Sequence, residues 1–499
     1  MRNILVLFSI FHLAVFSISG QENALYREIQ QAKKSNVYFE NVVLCKVSAE
    51  VKALERFINP DEVFFFGNIS FDVNSKTKAM NLVMPLKTKN MILELTEAPE
   101  SFYDYEIITS SGKKFPANRD IRHYRGVVKN ENNSLAAITI CENEIIGLVC
   151  TDEGNFNLVR DKQSGKHLFY NDKNLKEKAY PACSTPDDLS FSYDPEVLLI
   201  QRNPTSTGRG TIISKPVRLY VETEYDMYDE LGSVAAVEAF VSGLFNIVAA
   251  LYRNEDIQIS VSNPLFVWDK HDSKYPYTAM YSALLLAQFQ KERTSINGDL
   301  GILLTFKKMP EGGLVDKING LCDPYVANRL AVTPLREFYT NTYNYLPIPY
   351  YSWPVAVVTH EIGHLLGSPH THTCFWNGNN TAIDGCYSVE GACPQPALSS
   401  DPGTIMSYCA LTGGPGIDFY LGFGRQPGNV IRNTVLKATC LPCSFTNQIV
   451  AADTIVIGSN INVHTVTVTN NAKLTLDAPG EVIITNDFEV QLGSELEIK

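Results

Sequence analysis

Four of the chain's nine histidines, His360, His364, His370 and His372, fall within thirteen residues. The run reads His360-Glu361-Ile362-Gly363-His364-Leu365-Leu366-Gly367-Ser368-Pro369-His370, a spacing with a chemical consequence. On a helix, about 100° per residue sets His360 and His364 roughly 40° apart and about 6 Å apart along the axis, so both imidazoles reach one ion. Gly367 tolerates a positive φ and Pro369 cannot continue a helix, so the chain turns there and returns His370 as a third nitrogen ligand. Three protein ligands with an open fourth corner are the composition of catalytic rather than structural zinc, and one such ion brings the pKa of a water in that corner towards about 7. Glu361, adjacent to His360, is the carboxylate able to take that water's proton and pass it to a leaving amine. The full spacing arises by chance in on the order of one such chain in 100,000, which separates it from a buried histidine cluster or a surface metal clip. His372 is left outside the ligand set, as an alternative ligand or a polar group of a cleft. His12, His123, His167, His271 and His464 are isolated in the sequence, and no role is assigned to them.

These residues need a helix and a scaffold. Ser352 is a fair N-cap, Pro354 fits the first turn, and Val355, Val358, Ile362 and Leu365 make one apolar face. Upstream the texture alternates: Val217 to Val221 as a strand, Ser233 to Tyr252 as a helix, Ile257 to Val261 as a strand, Tyr277 to Arg293 as a helix and Leu300 to Phe306 as a strand. This alternation predicts an α/β layer with a partly parallel sheet. The apolar stretch from Gly232 to Tyr252 contains Glu238 and Asn246, which favours a buried core helix over a membrane span, so no transmembrane segment is expected.

Flanking regions read differently. From Val37 to about Tyr170 short alternating runs such as Ala136-Ala137-Ile138-Thr139-Ile140 are separated by Asn, Gly, Asp and Ser, the pattern of a β-rich unit. Cys141 and Cys150 flank a turn-like Glu142-Asn143-Glu144 there, and either close a hairpin or remain two unrelated thiols. Residues 184 to 212 form an extended, polar stretch suited to a linker and to proteolytic nicking. Residues 450 to 498 repeat short alternating blocks broken by Gly, Asn and Asp, which predicts a small stacked β module.

At 499 residues the chain is long enough for two to four folded units. Its net charge of −12 disfavours nucleic acid or anionic membrane as the main partner. With 45% hydrophobic and 19% charged residues it is globular rather than disordered. Arg2, the apolar run from Ile4 to Ile18 and Ser19-Gly20-Gln21 follow the order of a secretory signal peptide, so export is expected. Eleven cysteines in an exported chain predict disulfides, and the odd count leaves at least one thiol unpaired; the sequence does not pair them.

Over most of its length the chain resembles the metzincin zinc endopeptidases, adamalysin (reprolysin) branch. Gly403-Thr404-Ile405-Met406-Ser407-Tyr408 looks like the turn that sets a methionine beneath the metal, with Met406 as a soft floor rather than a ligand. Tyr408 matches the position where astacin-like and serralysin-like relatives carry a tyrosine that contacts zinc or the oxyanion, which adamalysins usually lack. Thr371 stands where typical adamalysins have an aspartate, a departure that bears on the branch and leaves the zinc chemistry untouched. Upstream, His123-Tyr124-Arg125-Gly126 is similar to adamalysin prodomains. Pro181-Ala182-Cys183-Ser184-Thr185-Pro186-Asp187 resembles a cysteine-switch segment at its Pro, Cys, Pro and Asp. The resemblance implies that Cys183 occupies the fourth zinc corner in a zymogen; the competing reading is a Cys183–Cys45 disulfide. Its fold implication is an α/β metzincin-like catalytic domain, a mixed twisted sheet with an active-site helix and Met-turn, between a β-rich prodomain and a small all-β module. The divisions expected are a signal peptide at 1–20, prodomain and linker at 21–210, catalytic domain at 211–443 and β module at 444–499.

The reading is therefore a secreted endopeptidase with one catalytic Zn2+ that acts on protein or peptide substrates. Gly313 to Leu321 is the segment expected to supply a substrate-pairing edge strand. Surface or secretion-system association is open to the C-terminal module. The rival readings are an adhesion protein with a structural metal, and zinc hydrolysis of a non-peptide bond.

Overall fold

A computed structural model describes residues 23–48, 55, 57–67, 77–87, 89–142, 144–161, 164–176, 182–186, 193–199, 216–336, 352–411, 414–441, 443–458, 460–478 and 480–499. The expected signal peptide at 1–20 lies outside them, as do Pro181, Asp187 and most of the expected linker.

The N-terminal region builds a nine-stranded sheet, ordered Glu40–Val43, Ala79–Pro85, Asn90–Glu97, Arg122–Val128, Leu135–Cys141, Glu144–Thr151, Gly154–Arg160, His167–Asn171, Val63–Phe66. Only its first pair is parallel. Alternation along Leu135–Cys141 explains its unbroken apolar run: Ala136, Ile138 and Ile140 face one core with Met80 and Phe169, while Leu135 and Ala137 face another with Val241 and Leu244. In the hairpin that follows, Cys141 lies opposite Glu144 and Cys150 opposite Leu135. Six residues of strand separate the two cysteines, and both are free thiols.

A second sheet of eight strands carries the histidine helix. Its order is Leu314–Val315, Leu330–Pro334, Leu300–Thr305, Pro216–Thr223, Leu265–Val267, Glu106–Thr109, Lys114–Pro116, with Gln258–Val261 also paired to Pro216–Thr223. The strands are parallel except for the two edges. The hairpin at Glu106–Pro116 comes from the N-terminal region, so the two regions share one sheet. On one face Leu219, Val221, Ile302 and Leu304 pack with the helices Val234–Arg253 and Ser352–Leu365. On the other, Tyr220, Leu303 and Val332 pack with Leu285 and Phe289 of Ser282–Glu292.

The helix Val234–Arg253 starts at the N-cap Ser233, whose hydroxyl accepts from Ala236 N. It is long and apolar enough to cross a membrane, yet 72% of its most apolar window is buried in the protein. Its two polar interruptions meet the N-terminal region. Asn118 N donates to Glu238 Oε1 at 2.7 Å, and Asn246 accepts from Arg125 Nε at 2.8 Å and donates to Ile138 O at 3.1 Å.

Two expected elements differ. The helix expected from Tyr277 begins at Ser282, because Tyr277 is buried with its hydroxyl on Glu222 Oε1 at 2.8 Å. Within the stretch expected to be an extended linker, Pro195–Leu199 is a helix. Leu198 packs with Trp376 and Val430, and its carbonyl accepts from Asn429 Nδ2 at 3.0 Å.

Beyond the disulfide Cys322–Cys440, strands Cys443–Val450, Ile461–Val468, Val482–Ile484 and Phe488–Val490 form one parallel sheet, and Thr454–Ile457, Lys473–Asp477 and Glu495–Ile498 another. Cys443 pairs with Ile461, and Ile461 with Val482, so successive turns of chain stack. Val463, Val466, Leu474 and Leu476 fill the space between the sheets.

Candidate active site

The helix Ser352–Leu365 is buried along nearly its whole length. Its start is fixed by Asn157 of the N-terminal sheet, whose Oδ1 accepts from Ser352 N at 3.2 Å and whose Nδ2 donates to Ser352 Oγ at 2.8 Å. Its end is a left-handed turn: Gly367 has φ +97°, and Ser368 N reaches back to Gly363 O at 3.0 Å. That reversal returns His370 to the helix, as the spacing predicts.

The three imidazoles converge. Ring centroids lie 4.7 Å apart for His360 and His364, 4.6 Å for His364 and His370, and 5.3 Å for His360 and His370. His360 Nδ1 is held by Ile405 O and His364 Nδ1 by Ser368 O, each at 2.8 Å. Donation from Nδ1 leaves Nε2 of both rings as lone-pair donors toward the common centre. His360 Nε2 and Glu361 Oε1 are buried and have no hydrogen-bond partner, an arrangement that a cation fits. Burial pulls the His360 imidazole down to about 3 and His364 well below its ordinary value, so both are neutral and in the metal-binding form. Burial also pushes Glu361 up to about 7.

Met406 packs against the histidine helix at Gly363. A Cβ on Gly363 would come within 2.6 Å of Met406 Sδ, so glycine at that position lets the thioether lie against the helix. Thr371, where the resemblance leads one to expect aspartate, donates its backbone N–H to Met406 O at 3.1 Å and so ties the third histidine to the methionine turn. Tyr408, two residues on, has its ring 4.6 Å from those of His370 and His372.

Cys183 joins the cluster from the N-terminal side. Its Sγ is 3.6 Å from His364 Nε2, and one ligand atom from each of Cys183, His360, His364 and His370 lies within 4.8 Å of the others. No disulfide links it to Cys45, since both are free thiols. Burial pushes its thiol up to about 11. The flanking chain is held on both sides. Gly312 N donates to Ala182 O at 2.8 Å and Ser184 N to Gly313 O at 3.0 Å. Tyr408 donates to Cys183 O at 2.6 Å. Thr185 Oγ1 donates to Glu361 Oε2 at 3.2 Å and accepts from Val315 N at 3.0 Å.

The edge strand expected over Gly313 to Leu321 is only Leu314–Val315. Farther along, Asn319 N and Leu321 N bond to the carbonyls of His364 and Leu365 instead of a ladder partner. Beside Cys183 and Glu361 opens an apolar recess of about 40 Å³ lined by Trp353, Val357, Ile405, Tyr408, Leu411 and Ile417.

Sequence reasoning missed Thr185, which touches Glu361, and Glu390, which faces His370 and His372. Neither stands at a motif spacing. Glu390 lies in a loop closed by Cys374–Cys393 and tied by Cys386–Cys409 to the residue after Tyr408. His372, left out of the ligand set, stacks on His370 with centroids 4.9 Å apart and points Nε2 at Glu390.

Residues 214–417 match the family model Reprolysin_5, described as metallo-peptidase family M12. The matched segment contains the three converging histidines, Glu361, Met406 and Tyr408. Among solved structures the chain is similar to the crystal structure of metalloproteinase-II from Bacteroides fragilis, at 12% identity and a TM-score of 0.36, covering 69% of this chain and 94% of that one. A likeness that loose bears on none of the chemistry.

Proposed function

We propose that this chain, a zinc metallopeptidase, is a secreted endopeptidase made as a zymogen that Cys183 holds latent. His360, His364 and His370 would hold the metal through Nε2. When bound, zinc supplies Lewis acidity that polarises the scissile carbonyl and acidifies water. Glu361, buried and with one oxygen unpaired, takes the proton of the attacking water and delivers it to the leaving amine. Tyr408 donates its phenolic hydrogen to the carbonyl oxygen as negative charge develops there. The backbone of Gly312 and Gly313 pairs with an extended peptide, and the apolar recess beside Glu361 receives one side chain.

The observation that carries this reading is that Cys183 Sγ belongs to the same 4.8 Å cluster as the three histidines, while its neighbours already use Gly312, Gly313, Tyr408 and Glu361. A segment that fills the metal's fourth corner, the peptide-pairing backbone and the general base together excludes substrate. Export rests on the apolar run Ile4 to Ile18 and accords with three disulfides. The divisions 1–20, 21–210, 211–443 and 444–499 belong to the same proposal.

The test is metal analysis with peptide and ester hydrolysis by the processed enzyme, beside His364→Ala. One zinc per native chain, peptide turnover and loss of both in the variant support the reading. Ester cleavage without peptide cleavage would favour the non-peptide alternative.

A further inference from the structure

The three histidines are not held alike. His360 and His364 each set Nδ1 against a backbone carbonyl, of Ile405 and Ser368. His370 Nδ1 faces a carboxylate instead, with Glu390 Oε2 at 3.5 Å, an ion-pair distance at which no hydrogen bond is formed. The other oxygen, Oε1, is 3.3 Å from His372 Nε2, and Thr373 Oγ1 donates to Oε2 at 3.3 Å. Both imidazoles are fully buried, whereas the Glu390 side chain keeps 31% of its surface exposed. The carboxylate therefore meets the buried rings from the solvent side.

Its position is fixed from the backbone outward. Cys374 N donates to Glu390 O at 2.8 Å and Glu390 N to His372 O at 3.2 Å, which pins Glu390 alongside the residues that follow His370. The disulfide Cys374–Cys393 closes the loop just beyond, and Cys386–Cys409 fastens the same loop next to Tyr408.

We infer that Glu390 is a positioning residue for the third metal ligand: its carboxylate fixes the tautomer and ring orientation of His370 so that Nε2 points to the zinc site. With a ring shift of a few tenths of an ångström the carboxylate would accept from the imidazole N–H, a stronger hydrogen bond than a carbonyl makes and one that makes the opposite nitrogen a better donor to the metal. His372 shares the carboxylate, stacks on His370 with an interplanar angle of 10°, and keeps that ring from rotating. The inference rests on the zinc reading above.

The experiment is zinc competition against a chelator of known affinity, on the full chain, with the melting temperature of the metal-free protein measured in parallel. Glu390→Ala should weaken zinc binding by about 10- to 100-fold while the metal-free melting temperature stays unchanged. Glu390→Gln, which keeps an oxygen able to accept from Nδ1, should recover most of that loss. Native affinity in Glu390→Ala overturns the inference and leaves the zinc reading standing. So does a loss matched by a fall in metal-free stability, which would make Glu390 a loop clamp. Two zinc ions per native chain falling to one in Glu390→Ala would make Glu390 a ligand rather than a positioning group. A native chain that binds no zinc overturns both this inference and the reading beneath it.

Discussion

Tyr408 donates its hydroxyl hydrogen to the carbonyl oxygen of Cys183 across 2.6 Å, a bond between residues 225 apart in sequence. Burial pushes the phenol well above its ordinary pKa, so it remains a donor. A peptide carbonyl thus already sits where this phenol can serve it, beside the rings of His360 and His370. A substrate carbonyl in that position would receive the same bond. In the processed enzyme, Tyr408→Phe should lower kcat by about 10²-fold with zinc retained; an unchanged kcat would make the tyrosine a packing residue only.

Cys183 is the one free thiol within reach of the three histidines among the described cysteines. On the latency proposed above, removing its sulfur would open the fourth corner without cutting the chain. Full-length Cys183→Ala should therefore hydrolyse a peptide substrate at least about tenfold faster than the native precursor, or process itself. A variant as silent as the native precursor would contradict latency through this thiol.

Gly313 gives Glu361 its room. A Cβ at this position would lie 2.3 Å from Glu361 Oε1, and the fully buried glutamate would have to shift. Gly313→Ala should cost about 10²-fold in kcat/KM with zinc content unchanged, since a displacement of roughly 1 Å in a reacting group has that effect. Activity within about twofold of native would mean that Glu361 is free to adapt.

The N-terminal sheet should be sensitive to acid. His123 is buried beside Thr139 Oγ1, and burial pulls it down to about 3; His167 is likewise pulled down to about 4. A depressed histidine contributes stability that is present above its unfolded pKa of about 6.5 and is lost as the pH falls towards the folded value. For His123 the loss between pH 7 and pH 5 comes to about 2 kcal/mol. Urea unfolding at those two pH values should resolve it, with a smaller difference in His123→Gln; equal pH dependence in both proteins would remove His123 as the cause.

Local spacing made the histidine helix legible. His360 and His364 one turn apart, Gly367 at the positive-φ exit and His370 beyond Pro369 are all consequences of backbone geometry over eleven residues. The parallel core of the sheet was legible through its strand and helix alternation. What was not legible depends on distant partners. Glu106–Thr109 joins the sheet at Leu265–Val267, a pairing no local pattern announces. Tyr277 leaves the helical run to reach Glu222, which only the folded sheet brings near. Glu390 lies twenty residues past His370 in a loop whose disulfides the sequence could not pair. Glu238 and Asn246, read as interruptions of an apolar helix, turn out to be its polar contacts with the N-terminal region, beside the apolar packing of Val241 and Leu244.

The most direct measurement is zinc content and casein proteolysis of the processed enzyme beside Glu361→Ala. The predicted result is one zinc per chain in both proteins, with turnover lower in the variant by about 10²- to 10⁴-fold. Equal turnover would remove Glu361 from the chemistry, and an absence of zinc from the active native enzyme would contradict the metal site itself.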